Sequence, residues 1–107
     1  MSEKRGTLYL TDDMPTVRTE AYVSDQNTHF DSCTVTNSTG SAITLTVYKE
    51  SADGAVSALI VNEKSIGANS EGEPVYQILN DALSPGEKLD VLASASGLHF
   101  NVSGRDF

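Results

Sequence analysis

Ala42-Ile-Thr-Leu-Thr-Val-Tyr48 is the clearest element of the chain. Ile43, Leu45 and Val47 alternate with Thr44, Thr46 and Tyr48, the period-two pattern of a strand with one face on a core and the other on solvent. Just before it, Phe30-Asp-Ser-Cys-Thr-Val-Thr-Asn37 is rich in β-formers, with Cys33 and Val35 on one face. Ser38-Thr-Gly-Ser41 between them is a run of turn formers. The two stretches together predict a β-hairpin closed by a Gly-containing loop.

Beyond this pair the same grammar repeats. Ser51-Ala-Asp-Gly54 is a turn, Ala58 to Val61 a short apolar run with Leu59 and Val61 on one face, and Lys64-Ser-Ile-Gly67 continues or re-enters a strand. Asn69-Ser-Glu-Gly72 predicts a break. Residues 75–83 place Val75, Ile78, Leu79 and Leu83 at helical spacing, but the run is too short for a stable isolated helix. A strand, an extended stretch or one helical turn over the core edge all fit. Ser84-Pro-Gly86 is a turn in which Pro presets φ and Gly permits φ > 0. Leu89, Val91 and Ala93 then alternate inward, as do Leu98, Phe100 and Val102, before Ser103-Gly104 ends the pattern. Short strands with turns every 8–12 residues, no long helix and no internal repeat predict a single all-β domain, a β-sandwich or a barrel. Residues 30–107 form its core. Residues 1–29 carry only the short apolar patches Leu8-Tyr-Leu10 and Ala21-Tyr-Val23 among Asp12, Asp13, Glu20 and Asp25, and read as an irregular N-terminal arm or as edge strands.

Composition narrows the function. A chain of 107 residues has room for one domain, which buries roughly 65% of the surface of its unfolded form. Hydrophobic residues are 38% and Trp is absent, so the core is thin and a partner surface or oligomerisation is a natural supplement. Fifteen carboxylates against seven Lys and Arg give a net charge of −8, and Lys4-Arg5 is the one adjacent basic pair. Nucleic acid and anionic membrane surfaces are therefore not expected partners. Cys33 is the single cysteine, so no internal disulfide forms. The polar opening Met1-Ser-Glu-Lys-Arg-Gly6 leads into no apolar segment, which predicts neither signal peptide nor membrane span and a chain made in a cytoplasm. Asn37-Ser-Thr39 and Asn101-Val-Ser103 then read as chance glycosylation triplets.

The chemistry-bearing residues form no catalytic pattern. His29 and Cys33 on one strand face are about 13 Å apart by rise, poor spacing for a shared metal, and the usual four-ligand zinc spacings are missing. Cys33 sits beside Val35 on the inward face, where cysteines are usually inert. There is no Gly-x-Ser-x-Gly elbow and no phosphate-cradling loop, and Asp12-Asp13 lacks calcium-loop spacing. No enzyme activity, cofactor or metal is expected. Thr36, Thr44, Thr46 and Tyr48 read as a polar outer sheet face, and Tyr22, Tyr48 and His99 as outward contacts for a partner. Four scattered Tyr without Trp make a weak platform for sugar.

Three stretches carry a resemblance: Thr36-Asn-Ser-Thr-Gly-Ser-Ala-Ile-Thr-Leu-Thr-Val-Tyr48, Leu59 through Lys64-Ser-Ile-Gly-Ala-Asn69, and Leu83-Ser-Pro-Gly-Glu-Lys-Leu-Asp-Val-Leu-Ala-Ser-Ala-Ser-Gly-Leu98 closing on Val102-Ser-Gly104. Residues 30–104 resemble small bacteriophage virion proteins of β-sandwich or jelly-roll fold, head decoration (cement) proteins and minor structural components among them. The resemblance implies a structural virion protein, made in the host bacterial cytoplasm, that binds the assembled capsid and bridges subunits. Its partners would be the major capsid protein or other virion proteins, and its own state a homo-oligomer, dimer or trimer. A neck or tail component, or a carbohydrate- or receptor-binding module, are the alternatives.

Overall fold

The computed structural model describes residues 4–107. Nine strands and one helical turn follow one another: β1 (Lys4–Thr11), β2 (Thr19–Val23), β3 (Thr28–Asn37), β4 (Ile43–Glu50), β5 (Ser57–Ile66), β6 (Ser70–Pro74), α1 (Tyr76–Leu79), β7 (Ala82–Leu83), β8 (Lys88–Ala93) and β9 (Leu98–Asp106). They form two antiparallel sheets. The first has the order β1-β9-β3-β6, with β7 also pairing β3; the second has the order β2-β8-β4-β5. Phe30, Cys33, Val35, Leu98, Phe100 and Val102 from the first sheet meet Ile43, Leu45, Val47, Val61, Leu89 and Val91 from the second in one buried cluster. Ile66, Leu83 and Ala93 belong to it too, as do Met14, from the β1–β2 connection, and Val75 and Ile78, beside and within α1. Burying each such Leu, Val or Phe contributes about 1.5–3 kcal/mol.

Residues 30–37 and 42–48 are strands, but they are not a hairpin. β3 pairs β9, β6 and β7, whereas β4 pairs β5 and β8. The turn formers between them make a corner from one sheet to the other. Buried Asn37 holds that corner: its Nδ2 donates to the carbonyls of Ser41 (2.8 Å) and Ile66 (3.0 Å), and its Oδ1 accepts from Thr39 N–H (3.0 Å) and Thr39 Oγ1 (2.7 Å). A fully satisfied buried amide of this kind fixes a chain crossing more firmly than a two-residue turn. The adjacent-strand hairpin is β4–β5 instead, closed over Ser51–Val56 by Ser51 N–H to the Val56 carbonyl at 2.8 Å.

The N-terminal stretch is built into both sheets. β1 is the edge of the first, against β9, and β2 the edge of the second, against β8. The connection between them is irregular and buries Met14; β3 begins at Thr28, two residues before the expected core boundary. Residues 1–3 of the expected arm lie outside the described residues. Three further differences have local causes. Asn69–Gly72 is not a plain break, because β6 starts at Ser70 and pairs Asn37. Residues 75–83 resolve into the single turn α1 and the two-residue β7. β9 runs past Ser103-Gly104 to Asp106, since Gly104 leaves room for the His29–Phe30 backbone rather than turning the chain.

Bulges explain the remaining departures from strict alternation. One extra residue enters at Leu8, Ala21, Asp31 and Ile60, opposite a strand that has none. The extra Ile60 turns Leu59 outward, 46% exposed, while Val61 stays buried. The extra Asp31 separates exposed His29 from buried Cys33, so the two do not share a face.

Candidate functional site

The outer face of the first sheet is concave. Leu10 pairs Asn101 on β9, Asn101 pairs Thr34 on β3, and His99 pairs Thr36, so these side chains stand side by side across three strands. They line a depression of about 610 Å³ with Asp12 at its rim. A second depression of about 240 Å³ continues it through the shared Thr36 to Ser38, Ser70 and Glu71.

Both walls are held by local bonds. At the β1 end, Thr11 Oγ1 donates to the Asp13 carbonyl (3.1 Å), and Asp13 Oδ1 accepts the Gly97 N–H (3.1 Å). This pins the departing chain against the β8–β9 connection. At the β6 end, Gly72 N–H donates to Thr36 Oγ1 (2.8 Å). Gly72 lies at φ +56 and Asn69 at φ +54, the left-handed region that Gly and Asn tolerate best. The result is a row that starts just past the end of β1 and crosses β9, β3 and β6: Asp12, His99, Thr36, Glu71. Asp12 and Glu71 are exposed, and neither has an ion-pair partner among the described residues. His99 Nε2 lies 3.2 Å from Ser38 Oγ in the middle of the row.

Of the three residues expected to contact a partner, only His99 stands here. Tyr48 is on the outer face of the second sheet, half-buried beneath Arg18, whose guanidinium carbon is 4.0 Å from the ring centroid. Arg18 Nε donates to Asp90 Oδ2 (2.8 Å) and Nη2 to Ser57 Oγ (2.6 Å) and Glu50 Oε2 (3.3 Å). One side chain thereby ties β8, β4 and β5 together over the Tyr48 ring. Tyr22 on β2 turns its hydroxyl inward to Asp106, and burial, then Asp106, push its pKa to about 12. Thr36 does not share a face with Thr44, Thr46 and Tyr48: it belongs to the first sheet and they to the second.

Nucleophilic chemistry finds no constellation among the described residues. Burial pushes the Cys33 thiol up to about 12, and Cys33 faces the core while His29 and His99 are exposed. No group of three or more His, Cys, Asp or Glu is placed to hold a metal ion among the described residues. What the depression offers is hydrogen bonding from hydroxyl, amide and imidazole groups, one exposed apolar wall at Leu10, and carboxylates at both ends. Leu10, Thr34 and Asn101 do not stand out in the sequence, because the bulge at Leu8 and the β1–β9–β3 register put them together. Comparison of the chain with protein-family models, with characterised proteins and with solved structures finds no match in any of the three.

Proposed function

We propose that this chain is a non-enzymatic β-sandwich of jelly-roll type, acting as a structural virion protein that docks on an assembled capsid and bridges its subunits. The strand order carries the reading. Leaving aside the two-residue β7, the sheets run β1-β9-β3-β6 and β2-β8-β4-β5. The connections pass from one sheet to the other except at the β4–β5 hairpin and the β6–β7 step. Such an order fits the eight-stranded double Greek key expected of a jelly roll, an architecture frequent in viral capsid and lectin domains. Fold alone does not fix function, so the reading also draws on the resemblance of residues 30–104 to phage virion proteins and on the lack of a catalytic constellation among the described residues. A net charge of −8 suits a protein on the outside of a head rather than one against packaged DNA.

Bridging acts by mass action: a protein that binds only the assembled shell stabilises the shell. The symmetry of such a lattice favours a dimer or trimer. A neck or tail role would use the same fold in a ring. The sugar-binding alternative is less well supported, because no Trp or Tyr lines the outer-face depression among the described residues and Phe100, which does, is 1% exposed.

Quantitative mass spectrometry of purified particles from the source, counting this chain against the major capsid protein, tests the proposal. Hundreds of copies per particle are expected. A dozen or fewer would move the protein to the neck or tail, and its absence from particles would overturn the virion reading.

A further inference from the structure

The outer face of the first sheet suggests the chemistry of a partner. We infer that it binds an extended peptide segment carrying two basic residues about four positions apart, laid across the strands along the row Asp12–His99–Thr36–Glu71. The inference rests on the reading of this chain as a protein-docking module and names what it docks.

Three observations lead there. The first is shape: the two depressions are contiguous through Thr36 and cross β1, β9, β3 and β6. With strands about 4.8 Å apart the outer two are about 14 Å apart, which an extended peptide at about 3.3 Å per residue spans with four to five residues. The second is charge. Asp12 and Glu71 stand at opposite ends of the row, no Lys or Arg lines either depression, and the chain as a whole carries −8. A cationic segment would be steered in by the whole molecule and seated by the two ends. The third is the floor. Thr34, Asn101 and His99 present polar side chains to the opening, matching the N–H and C=O groups of an extended backbone, while exposed Leu10 offers an apolar contact.

Other occupants fit less well. A sugar would want an exposed Trp, Tyr or Phe face, and the lining gives only buried Phe100 and the smaller imidazole of His99. A phosphate or nucleic acid would meet carboxylates. A single metal ion cannot bridge groups set at opposite edges of a four-stranded face.

Fluorescence anisotropy with a dye-labelled peptide Gly-Lys-Ser-Leu-Ser-Lys-Gly tests this on the full chain. Controls are Gly-Lys-Lys-Ser-Leu-Ser-Gly, of equal charge but with adjacent lysines, and the same frame with Glu in place of Lys. Asp12→Asn and Glu71→Gln should each weaken binding about two- to fivefold and together about tenfold, as exposed charge pairs do. Thr34→Arg, which fills the floor with a cation, should abolish it. Glu20→Gln, on the second sheet, removes the same charge elsewhere and should leave affinity within about twofold. Thermal melts confirm that each variant is folded; if Thr34→Arg is not, the Asp12/Glu71 pair decides.

Equal binding of the adjacent-lysine peptide, or a loss in Glu20→Gln matching that in Asp12→Asn, would mean diffuse attraction and overturn the site. So would absence of binding at millimolar peptide, or binding of a neutral oligosaccharide that Thr34→Arg blocks. Site-dependent peptide binding by a chain absent from particles would sink the virion reading and keep the site. A particle component that ignores the peptide would do the reverse.

Discussion

Gly104 is the most tightly enclosed glycine of the first sheet. A Cβ there would press on the His29 carbonyl oxygen and lie 3.1 Å from Phe30 Cα, both backbone atoms of the central strand β3. Backbone cannot move aside as the end of a side chain can, so Gly104→Ala should cost about 2–3 kcal/mol in urea unfolding, at the upper end for one added methyl. An unchanged midpoint would mean that β9 and β3 are further apart than described. Two residues on, Asp106 is 1% exposed and still ionises readily. Burial alone would raise its pKa, but hydrogen bonds from Thr28, Tyr22, the Asp25 N–H and Ser24 outweigh it and hold the carboxyl below its ordinary value. A carboxylate depressed by the fold adds stability that is complete above its unfolded value, about 4, and is lost as pH falls through the folded value. Asp106→Asn should therefore be about 2 kcal/mol less stable than wild type at pH 7, with the gap narrowing below about pH 4. Denaturant titrations from pH 3 to 7 read this directly, and a gap constant with pH would remove the carboxylate from the account. Neither residue is legible in the sequence. Gly104 reads as a strand end, and nothing in Gly-Arg-Asp-Phe107 announces that Asp106 turns inward under β2.

Strands were legible as elements; their partners were not. Alternation at 43–48, 88–93 and 98–102 depends only on which side chains meet the core, so the period survives whatever strand lies alongside. A corner and a hairpin draw on the same Ser, Thr and Gly, which is why residues 38–41 suggested the wrong pairing. Bulges mattered equally, since Asp31 and Ile60 each shift the face of the residues after them. The Arg18 clamp is the element-scale feature beyond sequence reading, because its hydrogen-bond partners lie 32 to 72 residues away. Removing the guanidinium leaves Asp90, 10% exposed, without its cation in the middle of the second sheet. Arg18 is itself 38% exposed, which tempers the effect. Arg18→Ala should cost about 1–2 kcal/mol, counting the lost packing on Tyr48. Arg18→Lys should recover less than half, because an ammonium cannot reach three strands and cover a ring. Adding Asp90→Asn to Arg18→Ala should restore part of the loss, and a double-mutant cycle measures it. Strict additivity would show that the two groups do not interact.

At the scale of the molecule, the order of strands ties the two ends of the chain together. β1 pairs β9 from Lys4–Asp106 to Thr11–Phe100, and β9 then lies between β1 and β3 in the first sheet. The first sheet therefore closes only after almost the whole chain has been placed, and nearly every connection crosses between sheets before a strand finds its neighbour. Such topologies defer their reward until large loops are closed, which places refolding at about milliseconds to seconds rather than microseconds. Stopped-flow refolding checks the rate. The same order predicts an asymmetry between truncations. Deleting residues 1–11 exposes an edge of β9 and the flank of Phe100 against Tyr9, whose rings meet edge to face at 6.0 Å. The remaining sheet keeps β9-β3-β6 and most of the core, so this chain should fold with reduced stability and a greater tendency to associate through the bared edge. Deleting residues 98–107 removes Leu98, Phe100 and Val102 from the core and separates β1 from β3 altogether. That chain should not fold, giving no cooperative thermal transition where the N-terminal truncation gives one. Cooperative unfolding of the C-terminal truncation would mean that the second sheet is stable without the first, contrary to a core in which each sheet supplies one wall.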